Sequence, residues 1–255
     1  MKNQLLTNYH THSRWSRHGS GEIEEYIEEG LRHGLKELAI TEHVPHENHF
    51  SWIPWEQFPI YDEALNRAKE KYADRLHVIK GFECEYYPQD LDHYRRFQDA
   101  YGYKLLLLGQ HRCGKQQEYD IFQKKEAYVL HAYAEDVCRG LETGLFDVLA
   151  HPDCVLVKYE NGWDKHCEQA LSEIFQACEE LHIPVEINAN GLRGGREYPS
   201  REAFLLSKNY HLDYMIGSDA HHVKQLCDED GWKRAAAFAD ELGLSVLPSL
   251  PLKHT

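Results

Sequence analysis

Short apolar runs rich in Val, Ile and Leu alternate with longer amphipathic stretches from one end of this sequence to the other, and few architectures accept that order. The segments 4-QLLTNYH-10, 36-KELAITEH-43, 76-LHVIKGFECEY-86, 104-KLLLLGQH-111, 146-FDVLAHPD-153, 184-PVEINAN-190 and 212-LDYMIGSDAH-221 read as strands. Helical periodicity predicts helices near 21–33, 60–73, 90–101, 124–142, 164–181, 200–209 and 231–242. In the first of these, Ser20 is the expected N-cap, Ile23, Tyr26, Ile27 and Leu31 share a face, and Gly34 is the stop. Strand followed by helix, repeated throughout, implies a parallel α/β sheet or barrel. With no linker, low-complexity segment or repeat, residues 1–255 are expected to form a single domain. The Pro- and Trp-rich stretch 44–59 falls outside this rhythm and reads as a long loop over a site or an edge, with Trp52 and Trp55 as core or lid residues, and the segment 112–122 reads as a further irregular loop.

Composition narrows the partners. No run reaches the roughly 20 apolar residues needed to cross a bilayer, and the N-terminus lacks a secretory pattern, so a soluble, cytoplasmic protein without a membrane partner is expected. The seven cysteines form no C-x-x-C pair and cannot all pair within one chain, so they are expected to be reduced. A formal net charge of −14 argues against nucleic acid, whose binding depends on Lys and Arg neutralising many phosphates. A small anion in a locally positive pocket is compatible with it.

The chain holds 18 histidines, and their phase relative to the strands is informative. The last residues of the successive strands are His10 and His12, Glu42 and His43, Glu83 and Glu85, His111, His151 and Asp153, Asn188, and Asp219 and His221. In a parallel barrel those ends share one face, where active sites are built. Residues i and i+2 on a strand point the same way, so His10 can act with His12, and Asp219 with His221. Imidazole and carboxylate donors without thiolate suit Zn²⁺, Fe²⁺ or Mn²⁺ in an open catalytic site. His18 follows a short loop that can fold back over the same face.

In this order, H-x-H, T-E-H, G-F-E, G-Q-H, A-H-P-D and S-D-A-H resemble the signature of the PHP (polymerase and histidinol phosphatase) superfamily, and 187-INANGLRGGREYPS-200 is similar to a segment of its histidinol-phosphate phosphatases. The resemblance implies a distorted (β/α)7 barrel, agreeing with the units counted above, and a site for three divalent metal ions. It assigns His10, His12, Glu83 and Asp219 to one ion, Glu83, His111 and His151 to a second, and His18, His43 and His221 to a third. Arg193 is expected to contact the substrate phosphate. The implied reaction is hydrolysis of a phosphate monoester, most naturally L-histidinol phosphate, by a hydroxide bridging two ions. A different small phosphate ester, a metal-dependent amidohydrolase and a non-catalytic PHP-fold binding protein are the alternatives.

Other polar residues have plainer readings. Glu42, Glu85 and Asp153 adjoin ligands and are expected to orient imidazoles rather than bind metal. His33, His77, His93, His131, His166, His182 and His211 lie in helices or away from strand ends and are expected to be structural or exposed. His46, His49 and His222 lie near the site without matching a motif.

Overall fold

In the computed structural model, which describes residues 6–45 and 52–252, seven parallel strands form one sheet. They are β1 (Thr7–Asn8), β2 (Glu37–His43), β3 (His77–Cys84), β4 (Leu105–Leu108), β7 (Val148–Leu149), β8 (Val185–Asn188) and β9 (Tyr214–Gly217), in the order β1-β2-β3-β4-β7-β8-β9. Beyond the outer strands a bridge joins Thr11 to Ala220, the His12 N–H donates to the Ala220 carbonyl (2.9 Å), and the Asp219 N–H donates to that of His10 (2.9 Å). The sheet thus draws its two edges together as a nearly closed, distorted barrel. A separate antiparallel hairpin, β5 (Arg112–Cys113) with β6 (Tyr119–Asp120), fills the 112–122 segment.

The principal helices are α1 (Ile23–Arg32), α2 (Phe58–Tyr72), α3 (Leu91–Tyr101), α4 (Ala127–Glu142), α5 (Lys165–Leu181), α6 (Ala189–Arg193), α7 (Arg201–Ser207) and α8 (Arg234–Leu242). The expected helices are all present, but α1 is capped by Glu22, not Ser20, through a reciprocal capping box with Glu25. The sixth expected strand stops at Asn188, whose side chain accepts the Gly191 N–H and starts α6.

Alternation along the strands divides the core. Ala39, Ile79, Leu105, Leu107, Val148 and Met215 point into the barrel with Tyr9 and Leu250, while Leu38, Ile40, Val78, Leu106, Leu108, Val185 and Ile187 belong to the larger core shared with the helices. Inward positions further along the same strands are polar: His43 on β2, Glu83 on β3 and Glu186 on β8. The β2–β3 register sets His43 directly opposite Glu83. An apolar floor therefore supports a polar mouth at the C-terminal ends of the strands.

Leu107 is fully buried in that floor. Leu107→Ala is expected to lower stability by about 2–5 kcal/mol in urea unfolding; a loss below about 1 kcal/mol would show that the interior layer is not tightly packed.

Candidate metal centre

The mouth is organised around Glu83. Its Oε1 lies 2.9 Å from His151 Nε2 and 3.7 Å from His111 Nε2, and its Oε2 lies 3.4 Å from His10 Nε2, 3.2 Å from His12 Nε2 and 3.3 Å from His43 Nδ1. One oxygen thus faces each of two sets of imidazoles. Gly109 makes this possible, because a β-carbon there would collide with Glu83 Oε1.

Among the described residues, three groups of donor atoms cluster tightly enough to hold a cation: His10, His12 and Glu83; Glu83, His111 and His151; and His12, Asp219 and His221. The first two reproduce the core of the expected ligand sets, and Asp219 Oδ1 lies 3.7 and 3.4 Å from the Nε2 atoms of His10 and His12. In the third quarter the outcome is mixed. The rings of His18 and His43 are 5.1 Å apart and those of His18 and His221 4.6 Å apart, but the donor atoms that converge there belong to His12, Asp219 and His221. His18 reaches this face because the 3₁₀ turn Arg14–Ser16 ends in left-handed backbone at Arg17 (φ 61°) and turns the loop back.

The chemistry of the donors fits cations. His10 Nδ1 lies 2.7 Å from Glu186 Oε1, and His12 Nδ1 lies 3.1 Å from Ser16 Oγ, whose hydroxyl donates to Glu42. In the neutral state each ring carries its proton on Nδ1 and turns an Nε2 lone pair inward, with the two Nε2 atoms 3.1 Å apart. Asp219 Oδ1 is buried beside them with no hydrogen-bond donor. Lone pairs facing one another without a shared proton repel, and a cation between them removes the repulsion.

Charge leads to the same reading. Burial favours neutral Glu83, but His43 and His10 outweigh it and hold the carboxyl pKa well below its usual range. Burial acts likewise on Asp219, and His10, His221 and His12 overcome it. Burial alone would depress His10, yet Glu186, Asp219 and Glu83 hold it well above its ordinary value; His12 is instead driven down to about 3, chiefly by burial. The buried carboxylates demand positive charge, and a divalent ion supplies it more compactly than an imidazolium.

His151 (φ 28°) and Asp219 (φ 43°) occupy left-handed backbone that residues with a β-carbon disfavour. Hydrogen bonds hold both in place: Glu186 Oε2 accepts the His151 N–H (2.9 Å), and the His10 carbonyl accepts that of Asp219.

Around this centre opens a cavity of about 640 Å³ whose wall includes Trp52, Glu85, Arg112, Asp120, Phe122 and Tyr198. The hairpin β5–β6 is thus part of the site. Trp52 is buried in the main core and also lines the cavity, whereas Trp55 is partly buried and packs against His93 and Phe97.

Arg193 requires a correction. It does not line the cavity: its Nε and one terminal nitrogen donate to Asp228 (2.7 and 3.1 Å), and further bonds reach the Gln225 carbonyl (2.8 Å) and Asn190. In this segment the arginine that lines the cavity, as Arg112 does from the hairpin, is Arg196, which donates to Tyr198 Oη (2.7 Å).

The residues flanking the ligands divide. Glu42 orients His12 through Ser16, and Glu85 accepts the backbone N–H groups of His111 (3.2 Å) and Arg112 (2.9 Å). Asp153 does not hydrogen-bond an imidazole; it accepts the Ser200 N–H at the start of α7. The seven histidines given structural or exposed roles lie outside the cavity wall, His222 is part of it, and His46 and His49 lie outside the described residues. Glu186 escaped the sequence reading because it lies two residues before the strand end; a carboxylate between Val185 and Ile187 was the available signal.

The PHP domain family profile matches residues 8–190, and the chain belongs to that family. Relatives that it resembles include histidinol-phosphatases. It is 23% identical over 256 residues to the histidinol-phosphatase of Bacillus subtilis (84% of this chain, 92% of that one) and 25% identical over 195 residues to that of Lactococcus lactis (71% and 70%). The fold matches the crystal structure of Lactococcus lactis histidinol phosphate phosphatase complexed with zinc, L-histidinol and phosphate, with a TM-score of 0.76 at 19% identity over 95% of both chains.

Two outcomes follow from the geometry. Glu83→Gln is expected to release two bound ions together, measured as metal content after dialysis, and loss of only one would contradict the bridging role. Arg193→Ala is expected to lower stability by about 1.5–3 kcal/mol through its lost charged hydrogen bonds, with ions retained; an unchanged unfolding midpoint would contradict the bracing role.

Proposed function

We propose that this chain is a metal-dependent phosphatase that hydrolyses L-histidinol phosphate to L-histidinol and phosphate. The observation that carries the reading is the division of Glu83 between two imidazole sets in a cavity far larger than a phosphate group. The Lactococcus lactis structural neighbour, described with zinc, L-histidinol and phosphate, supports both the metal and the substrate class.

His10, His12, Glu83 and Asp219 would hold one divalent ion, Glu83, His111 and His151 a second, and His18, His43 and His221 a third, as Zn²⁺, Fe²⁺ or Mn²⁺, with Asp219 also within reach of the third. When bound, such ions supply Lewis-acid stabilisation of phosphoryl oxygens and activation of a water nucleophile. The protein's part is to hold the lone pairs inward. Glu186 and Ser16 keep the protons of His10 and His12 on the outer nitrogens, and the apolar floor limits the access of water from below.

Arg112 and Arg196 are the cationic side chains of the cavity wall among the described residues, and they serve an anionic substrate in a protein of net charge −14. Burial raises the Tyr198 pKa, so its phenol stays protonated at neutral pH and offers a donor to a substrate oxygen. The domain is taken as residues 1–255. Among the described residues no helix is long and apolar enough to cross a membrane, and all seven cysteines are free thiols, which supports a reducing, cytoplasmic setting.

The test is phosphate release by protein loaded with zinc, iron or manganese. L-Histidinol phosphate is expected to be hydrolysed with kcat/KM at least about tenfold above p-nitrophenyl phosphate, a difference of about 1.4 kcal/mol, and with negligible turnover of bis-p-nitrophenyl phosphate. Preference for another monoester would replace the substrate. No release from any of them by fully loaded protein would favour an amidohydrolase or a binding protein.

A further inference from the structure

We infer that Glu186 is a positioning residue that sets two of the metal-binding groups at once; this rests on the metal-centre reading above. Glu186 is fully buried on β8 and uses both oxygens. Oε1 accepts a hydrogen bond from the Nδ1–H of His10 (2.7 Å), which in the neutral ring leaves the Nε2 lone pair aimed at His12 and Glu83. Oε2 accepts the backbone N–H of His151 (2.9 Å), the residue held in left-handed backbone, and the Asn188 amide (3.0 Å). The same amide nitrogen lies 3.2 Å from Asp219 Oδ2. One carboxylate therefore reaches a ligand of the His10–His12–Glu83 group, a ligand of the Glu83–His111–His151 group and, through Asn188, Asp219.

Packing alone does not account for an acid here. A buried carboxylate is costly unless its hydrogen bonds are satisfied, and an apolar side chain would fill the volume at lower cost. The neighbouring strand also accommodates the group, since a β-carbon on Gly217 would collide with Glu186 Oε1. The third group has no direct hydrogen bond to Glu186: His18 is held through the Ser16 carbonyl and His221 through the Asp219 carbonyl, and only Asp219 connects to Glu186, at one remove through Asn188.

The test uses full-length protein, Zn²⁺ as the probe, and two readouts that do not depend on turnover. By isothermal titration, Glu186→Gln is expected to bind two of the three zinc ions about 10–100-fold more weakly than wild type, and the third, tied to Glu186 only at one remove, with clearly the smallest loss. By ¹⁵N NMR of the imidazoles in zinc-loaded protein, the His10 Nδ1–H signal is expected to shift away from its wild-type position while that of His221 keeps its own. If Glu186→Gln does not fold, as judged by circular dichroism, Gly217→Ala is the second probe, because it displaces the same carboxylate and should give the same selective loss. Three ions bound with wild-type affinity by either folded variant, or an equal loss at all three, would overturn the inference. Wild-type protein that binds no zinc would overturn the metal-centre reading itself, a result distinguishable from failure of the variants alone.

Discussion

A carboxylate buried among imidazoles is the constraint on which the rest of this structure depends. Glu83 is almost fully buried at the end of the cavity, so its charge must be balanced largely by groups brought from several strands of the barrel. That requirement explains why histidines far apart in sequence arrive at one place. It also explains why the residues beneath and beside them are small: Gly109 makes room for Glu83, and Gly217 makes room for Glu186. The barrel is a device for pointing inward-facing positions of successive strands at a common centre, over an interior filled by Leu105, Leu107 and their neighbours.

Most of this was legible in the sequence, for a definite reason. Period-two alternation and strand ends are written locally, so His10, His12, His43, Glu83, His111, His151 and Asp219 could be placed on one face before any coordinates. Strand lengths were overestimated. The run 146–153 became the two-residue β7, because His151 turns into left-handed backbone and Cys154 begins a 3₁₀ segment. The misassignments concern long-range partners. Arg193 was assigned to phosphate from its neighbours in sequence, but Asp228, 35 residues later, captures it. Asp153 was assigned to an imidazole, but the distant Ser200 takes it.

The layer behind the ligands was the least visible part. Ser16 and Glu42 act on His12 as a relay of three side chains from two segments, and no spacing in either segment announces the pairing. The hairpin β5–β6 was equally hidden, yet it brings Arg112 and Asp120 to the cavity wall. In an acidic chain Arg112 and Arg196 place positive charge on the wall of a cavity whose inner end is lined by the buried donors.

The most direct measurement is anomalous X-ray diffraction from crystals grown with zinc, recorded on both sides of the zinc absorption edge. The account predicts anomalous peaks on both sides of Glu83, one beside each carboxylate oxygen and each within about 2.0–2.3 Å of its imidazole nitrogens. The absence of any anomalous peak at coordination distance from Glu83, with zinc found only at surface histidines, would contradict it.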